Sequence, residues 1–574
     1  MYNLLNSDFS LSANLQVYQP AVDAALSDLS EQQIIKRIWE RDFTVWNASP
    51  DEISNRLGWL NCIADMQTKL TDIESFVDSV RYDGYTNVLL LGMGGSSLAP
   101  ELFSKTFPAS RYSLQVDVLD STDPGIILSY SKTLNLSRTL FILSTKSGGT
   151  EETLSFFKYF YNLVLDRVGD QYTGSHFAAI TDPTSKLVDL ANEYSFRHIF
   201  INDPNIGGRF SALTFFGMVP AALAGVNIKS LLIHAKQMVE RCSPATPVQA
   251  NPAAILGVLL SELAKHERDK ATFVLSPQIT HFGDWVEQLL AESTGKQGNG
   301  ILPVIGEKLS QPETYGMDRL FIDLQMMNDV FDRSAEQEKL TTLEAVGHPI
   351  LRLQINDLYD LAGQFFLWEF ATAIAGWRLQ INPFDQPNVE LAKIRARNMV
   401  NVYKKEKSLP SQLPAIADAR LQVFGSIPAN SPAEALSWFV SLAYTGDYIA
   451  IQAYTQPNTE TDIALERLRT VLTNITHLAV TIGYGPRFLH STGQLHKGDR
   501  GNGIFIQITA DHPADVPIPD RAGDPSSSIS FGILIMAQAL GDRGALIEQG
   551  RRVLRLHIKQ HVPETINALA NEIK

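Results

Sequence analysis

Between residues 87 and 201 the chain repeats one short phrase, an apolar run followed by a segment with helical spacing. The runs are NVLLLG, SLQVDVL, TLFILS, HFAAIT and RHIFI. They do not alternate polar with apolar residues as a strand with one wet face does, so they read as strands covered on both faces. Such strands, joined through helices, predict a doubly wound, mainly parallel α/β sheet from about residue 80 to 225. A looser series, ATFVLS, GILPVIG, RLFIDLQ and HPILRLQI, predicts a second layer of the same kind from about residue 270. KKEKSLPSQLPA and SIPANSPAEA then punctuate the chain as a linker or an insertion. DYIAIQAY, HLAVTIGYG and NGIFIQIT follow as further strands, and the chain closes with RRVLRLHI. Before residue 80, the spacing in VDAALSDLSEQQIIKRIWERD and a cap signal at Asp51 predict helices.

Composition narrows the function classes. Of 574 residues 44% are hydrophobic and 19% charged, enough apolar material for several cores. Forty-eight Lys and Arg against 62 Asp and Glu leave a net charge of −14, which argues against general binding to nucleic acid or to anionic membranes. Cys62 and Cys242 are too few for a disulfide framework or a Cys-only metal site. The start, MYNLLNSDFSLSANLQ, lacks the features of a signal peptide, and no apolar stretch is long enough to span a bilayer. The expectation is a cytoplasmic enzyme.

Ligands of open parallel sheets bind at the carboxyl ends of the strands. Two loops stand out there, Gly92-Met93-Gly94-Gly95-Ser96-Ser97 after NVLLL and Ser144-Thr145-Lys146-Ser147-Gly148-Gly149-Thr150 after TLFIL. Small residues let backbone N–H groups approach a ligand, and the hydroxyls beside them complete an anion cradle. Two such loops on neighbouring strands predict a phosphate site, although neither a P-loop nor a Rossmann fingerprint is present. In a third loop, Ile206-Gly207-Gly208-Arg209-Phe210-Ser211, the arginine offers a rigid fork of donors to an oxyanion. Gln288 and Glu292 stand four apart in WVEQLLAESTGKQGNG, on one face of a helix.

Taken in order, these segments resemble the glucose-6-phosphate isomerase (phosphoglucose isomerase) family, built from two sugar-isomerase (SIS) domains. LLLGMGGSSLAPEL and STKSGGTEET are similar to its phosphate loops, IGGRFSALTFFG to its GGR[YF]S motif and ESTGK to its ESNGK motif. GHPILRLQI with LAGQFFLWEFATAIAGWRLQINPFDQPNVELAK resembles the stretch ending in DQPGVELGK. The resemblance implies interconversion of glucose 6-phosphate and fructose 6-phosphate, with no metal or cofactor and a sugar phosphate as partner. It implies phosphate contacts from Gly95, Ser96, Thr145, Ser147 and Thr150, with Lys146, Glu152 and Gln288 beside them. It implies Glu292 as the base, Arg209 as stabiliser of the enediolate and Lys393 as an aid to ring opening. This cast suits the chemistry, because a proton next to a carbonyl is removed only when the developing oxyanion is stabilised.

One feature departs from the family pattern. Its ring-opening histidine lies between the glutamate and lysine motifs in an H-x-x-x-Q-L context, and none occurs there. His490-Ser491-Thr492-Gly493-Gln494-Leu495-His496 follows Lys393 instead, so His490 is the ring-opening candidate and His496 the second choice. This order resembles the isomerase half of bifunctional transaldolase–isomerase proteins. The fold expected is two SIS-type three-layer αβα domains with mainly parallel sheets, a helical N-terminal region and a C-terminal α/β elaboration. The boundaries are 1–80 (helical), 81–245 and 246–400 (SIS domains), and 401–574, which completes or flanks the second domain. With the histidine relocated, the chain is expected to work as a homodimer or a monomer. Two alternatives stay open, a non-catalytic SIS regulator and an isomerase that also accepts mannose 6-phosphate.

Overall fold

The computed structural model describes residues 2–5, 9–410 and 412–573. The chain opens with an antiparallel strand pair, β1 (Tyr2–Leu5) and β2 (Phe9–Asn14). This corrects the expectation that residues 1–80 are helical. In FSLSAN, Phe9, Leu11 and Ala13 are buried while the residues between them are half-buried, a period of two within only six residues. The helical spacing predicted farther on is present in the helices Gln19–Glu31 and Ile34–Trp39. Asp51, however, caps no helix: residues 51–56 form turns and a bend, and the helices of that region are Cys62–Gln67 and Leu70–Tyr82.

The first sheet is wholly parallel and contains β3 (Asn87–Gly92), β4 (Gln115–Leu119), β5 (Thr139–Ser144), β6 (Phe177–Thr181) and β7 (His198–Ile201). Its order is β4-β3-β5-β6-β7. The connections leave β3 and β5 in opposite directions, so the crevice of this doubly wound sheet opens at their carboxyl ends. The two Ser/Gly loops start there.

The second sheet contains β8 (Lys270–Leu275), β9 (Leu302–Val304), β10 (Arg319–Met326) and β11 (Ile350–Ile355), all parallel. The N-terminal pair completes it in the order β1-β2-β11-β10-β8-β9, with β2 antiparallel to β11. One core joins the N-terminal helices to the first and second sheets. Through it runs the helix Leu361–Leu379, apolar around almost its whole circumference and buried accordingly.

Residues after 410 build a third sheet from β12 (Ile416–Ala417), β13 (Leu421–Phe424), β14 (Tyr448–Tyr454), β15 (Ala479–Tyr484), β16 (Gly503–Ala510) and a late strand, β19 (Arg552–Ile558). Between the last two lies a short pair, β17 (Pro517–Ile518) and β18 (Ile529–Ser530). The order is β12-β13-β19-β16-β14-β15, and one side of this sheet has a core of its own. It therefore flanks the second sheet and does not extend it. Among the described residues no helix is long and apolar enough to cross a membrane.

Candidate active site

The loop after β3 turns at Gly94, whose φ of +56° lies in the left-handed region, and passes into the helix Leu98–Thr106. Gly95 packs directly on the arginine loop, since a Cβ there would fall 2.0 Å from the Gly208 carbonyl oxygen. In the loop after β5 the hydroxyls of Thr145 and Thr150 are 2.8 Å apart, and the helix Glu151–Val168 begins at once. Lys146 is tied down by Asp182 and by the Pro204 carbonyl at 2.8 Å. Burial pushes the Asp182 carboxyl above its ordinary range, although Lys146 opposes it.

Arg209 is 3% exposed, and its donors are all engaged. Nε donates to Ser293 Oγ at 2.7 Å, Nη1 to Gln386 Oε1 at 3.0 Å, and Nη2 to the carbonyls of Pro383 and Asp385 at 2.6 and 3.0 Å. Nη1 also lies 3.1 Å from Glu292 Oε1. Burial lowers the pKa of this guanidinium, with Glu292 and Asp385 holding it up. The helix Phe282–Thr294 presents Gln288 and Glu292 together, as their spacing predicted. The Gln288 amide donates to Glu292 Oε2 at 3.0 Å and to the His490 carbonyl at 2.7 Å. Just past this helix, buried Lys296 donates to Asp385 Oδ1 at 2.7 Å, and burial together with Arg209 pushes its pKa down to about 8.

His490 arrives from the third sheet, on the turn Arg487–His490 after β15. Its Nε2 is 3.1 Å from Glu152 Oε1, which also accepts the Gln538 amide at 2.7 Å. Burial raises the pKa of the Glu152 carboxyl, but His490, a backbone N–H and Lys393 outweigh that and leave it lowered. The same segment is clamped by the fully buried Gln494. Its amide donates to the Gly295 carbonyl at 2.9 Å and to Asn388 Oδ1 at 2.8 Å, while its own oxygen accepts Asn388 N–H at 2.9 Å. One side chain thus links the histidine, glutamate and lysine segments. His496 lies apart from the cavity, buried among Tyr448, Phe488 and Phe505, and burial pushes its pKa well down.

These groups surround a cavity of about 650 Å³, in the range of small-molecule sites. Gly95, Ser96, Thr145, Lys146, Ser147, Thr150, Arg209, Gln288, Glu292, Lys393 and His490 all line it. Glu152 stands behind His490 and lines the adjoining cleft. All are supplied by one chain. Sequence reasoning missed Asn55 and Arg56, which line the same cavity from the N-terminal region. The Gly58 N–H, bonded to the Asn205 carbonyl at 2.9 Å, holds that region against the arginine loop. It also missed Gln538; no local signal marks any of the three. Gln386 could have been found, since it belongs to the DQPNVELAK motif.

Residues 59–301 match the family model of phosphoglucose isomerase. A glucose-6-phosphate isomerase of Carboxydothermus hydrogenoformans is 29% identical over 383 residues, covering 57% of this chain and 81% of the relative. One of Prochlorococcus marinus is 28% identical over 443 residues, covering 69% and 82%. Among solved structures, a glucose-6-phosphate isomerase from Chlamydia trachomatis shares the fold with a TM-score of 0.60 at 17% identity, covering 70% of this chain and 90% of that one.

Proposed function

We propose that this chain, a member of the phosphoglucose isomerase family, interconverts glucose 6-phosphate and fructose 6-phosphate, a step of glycolysis and gluconeogenesis. The observation that carries this reading is the contact between Arg209 and Glu292 at the wall of a cavity whose far side is a hydroxyl-rich double loop. A carboxylate touching a buried guanidinium suits a proton shuttle beside a developing oxyanion.

The phosphate group lies against Ser96, Thr145, Ser147 and Thr150 and the N–H groups of their turns, with Lys146 nearby. His490, oriented by Glu152, passes a proton to the ring oxygen, and Lys393 helps to draw the proton from the C1 hydroxyl. The C1–O5 bond breaks and the open-chain aldehyde forms. Glu292 then takes the proton from C2, and the electron pair moves to the carbonyl oxygen as a cis-enediolate stabilised by Arg209. The same carboxylic acid returns the proton to C1, while the O2 proton passes to O1, giving the ketose. One carboxylate on one face of the enediolate serves both carbons, so no second base is required. The reaction needs only groups from a single chain and works on a soluble substrate in the cytoplasm.

The test is a coupled assay for glucose 6-phosphate formed from fructose 6-phosphate, run with a metal chelator present. Turnover supports the isomerase and a metal-free reaction together. Tight binding of fructose 6-phosphate with no turnover would leave a sugar-phosphate-binding protein and overturn the proposal.

A further inference from the structure

We propose that Arg555 and Arg543 form a binding site for a small phosphate-like dianion, separate from the cavity described above. Arg555 lies on β19 and is 8% exposed. Arg543 lies half-buried on the helix Phe531–Glu548, which covers that face of the third sheet.

The other buried arginines all have oxygen partners, although Arg319 and Arg469 also leave Nε without one. Arg209, Arg268, Arg319, Arg333 and Arg469 each donate to carboxylate or carbonyl oxygens. Arg555 donates to no oxygen among the described residues. Its one hydrogen-bonding partner among the described residues is the sulfur of Met536, 4.0 Å from Nη1, and its Nε has no partner. Beside it on the sheet, Phe424 is paired with Arg555 in the β13–β19 register, and its ring centroid is 3.7 Å from the guanidinium carbon. That stacking occupies a face of the guanidinium and leaves the edge that carries the five N–H donors unused.

Arg543 is only slightly better placed. Its Nη1 donates to Gln412 Oε1 at 3.2 Å, at an exposed rim, and its Nε has no partner. Neither arginine has a carboxylate partner among the described residues. The two cations are close enough to repel one another: burial, and then the charge of Arg543, push the Arg555 pKa down to about 10. On the other side of Arg555 in the register stands Gln507, whose Oε1 is also buried without a partner.

Buried charges are ordinarily paired, because leaving an ionised group without water or counter-charge is costly. A metal ion would add to the repulsion, and a neutral ligand would leave it in place. A dianion with several acceptor oxygens neutralises both guanidinia and fits their planar forks. Gln412 and Arg543 give it a way in from solvent.

The experiment is equilibrium dialysis of the full chain with labelled inorganic phosphate, alongside thermal melts over the same phosphate range. Arg555→Met is expected to bind one equivalent per chain fewer than the wild type. In phosphate-free buffer it should melt no lower than the wild type, since it removes an unpaired buried charge. Arg543→Gln, at a half-exposed position, should weaken the same equivalent at least tenfold. If Arg543→Gln binds phosphate with wild-type stoichiometry and affinity, the proposal fails. It also fails if Arg555→Met melts well below the wild type without phosphate, because the guanidinium would then be satisfied within the chain.

Discussion

Glu152 and His490 meet at 3.1 Å across 338 residues of sequence, one on the helix that follows β5 of the first sheet and the other on a turn of the third. The contact is buried on the glutamate side, and Gln538 fixes the same carboxylate oxygen from a third element. The imidazole is therefore oriented from outside the cavity while its ring remains part of the cavity wall.

Replacing Glu292 by Gln keeps the shape of the site and removes the proposed proton acceptor. Isomerisation should fall by about 10³-fold or more, in line with the loss of general-base catalysis. Calorimetric titration should still detect fructose 6-phosphate binding. Near-wild-type turnover in this variant would remove Glu292 from the mechanism.

His490→Ala separates ring opening from proton transfer. Turnover of the cyclic sugar should fall by about 10² or more, while a substrate that is already open-chain should lose far less. Equal losses on the two substrates would show that the histidine has no special role in opening the ring.

Gln538→Leu tests whether the carboxylate behind the histidine needs its amide donor. The variant loses one hydrogen bond to the ionised form of Glu152, an interaction on the order of 1–3 kcal/mol. The Glu152 pKa should therefore rise, and the acid limb of the kcat/KM profile should move to higher pH. A merely structural effect would lower activity evenly at every pH.

The same carboxylate predicts a stability trend. Its pKa is lowered in the folded chain, so the unfolded state binds more protons as the pH falls through the ordinary glutamate value of 4.5. Stability from this group is present above that value and is lost below it. Urea midpoints measured from pH 6 down to pH 3 should fall less steeply for Glu152→Gln than for the wild type.

Gly95→Ala probes the seam between the first and third loops. The new Cβ would lie 2.0 Å from the Gly208 carbonyl oxygen, a backbone atom that no side-chain rotation can move aside. Overpacking of this kind costs about 1–3 kcal/mol, to be read as a lower urea midpoint. A midpoint equal to that of the wild type would mean that the two loops part easily.

Much of the fold is legible in the sequence because it rests on local patterns. Apolar runs without alternation became the strands of the first two sheets, and the spacing of Gln288 and Glu292 put both on one helical face. The N-terminal strands were harder to see. FSLSAN is short, and its pairing with β11 joins residues more than three hundred positions apart. Asn55, Arg56 and Gln538 carry no motif, and they reach the site only through packing.

By itself, then, the sequence determined the α/β architecture, the loops that line the cavity and the order of the motifs, since backbone propensity and hydrophobic periodicity act over a few residues. Only the tertiary structure decided that a histidine placed after the lysine motif still reaches the same cavity. The third sheet folds on a core of its own and docks through Gln494 onto Gly295 and Asn388, which brings His490 to Glu152. Docking of that kind depends on the complementarity of two finished surfaces, and no local stretch of sequence encodes it.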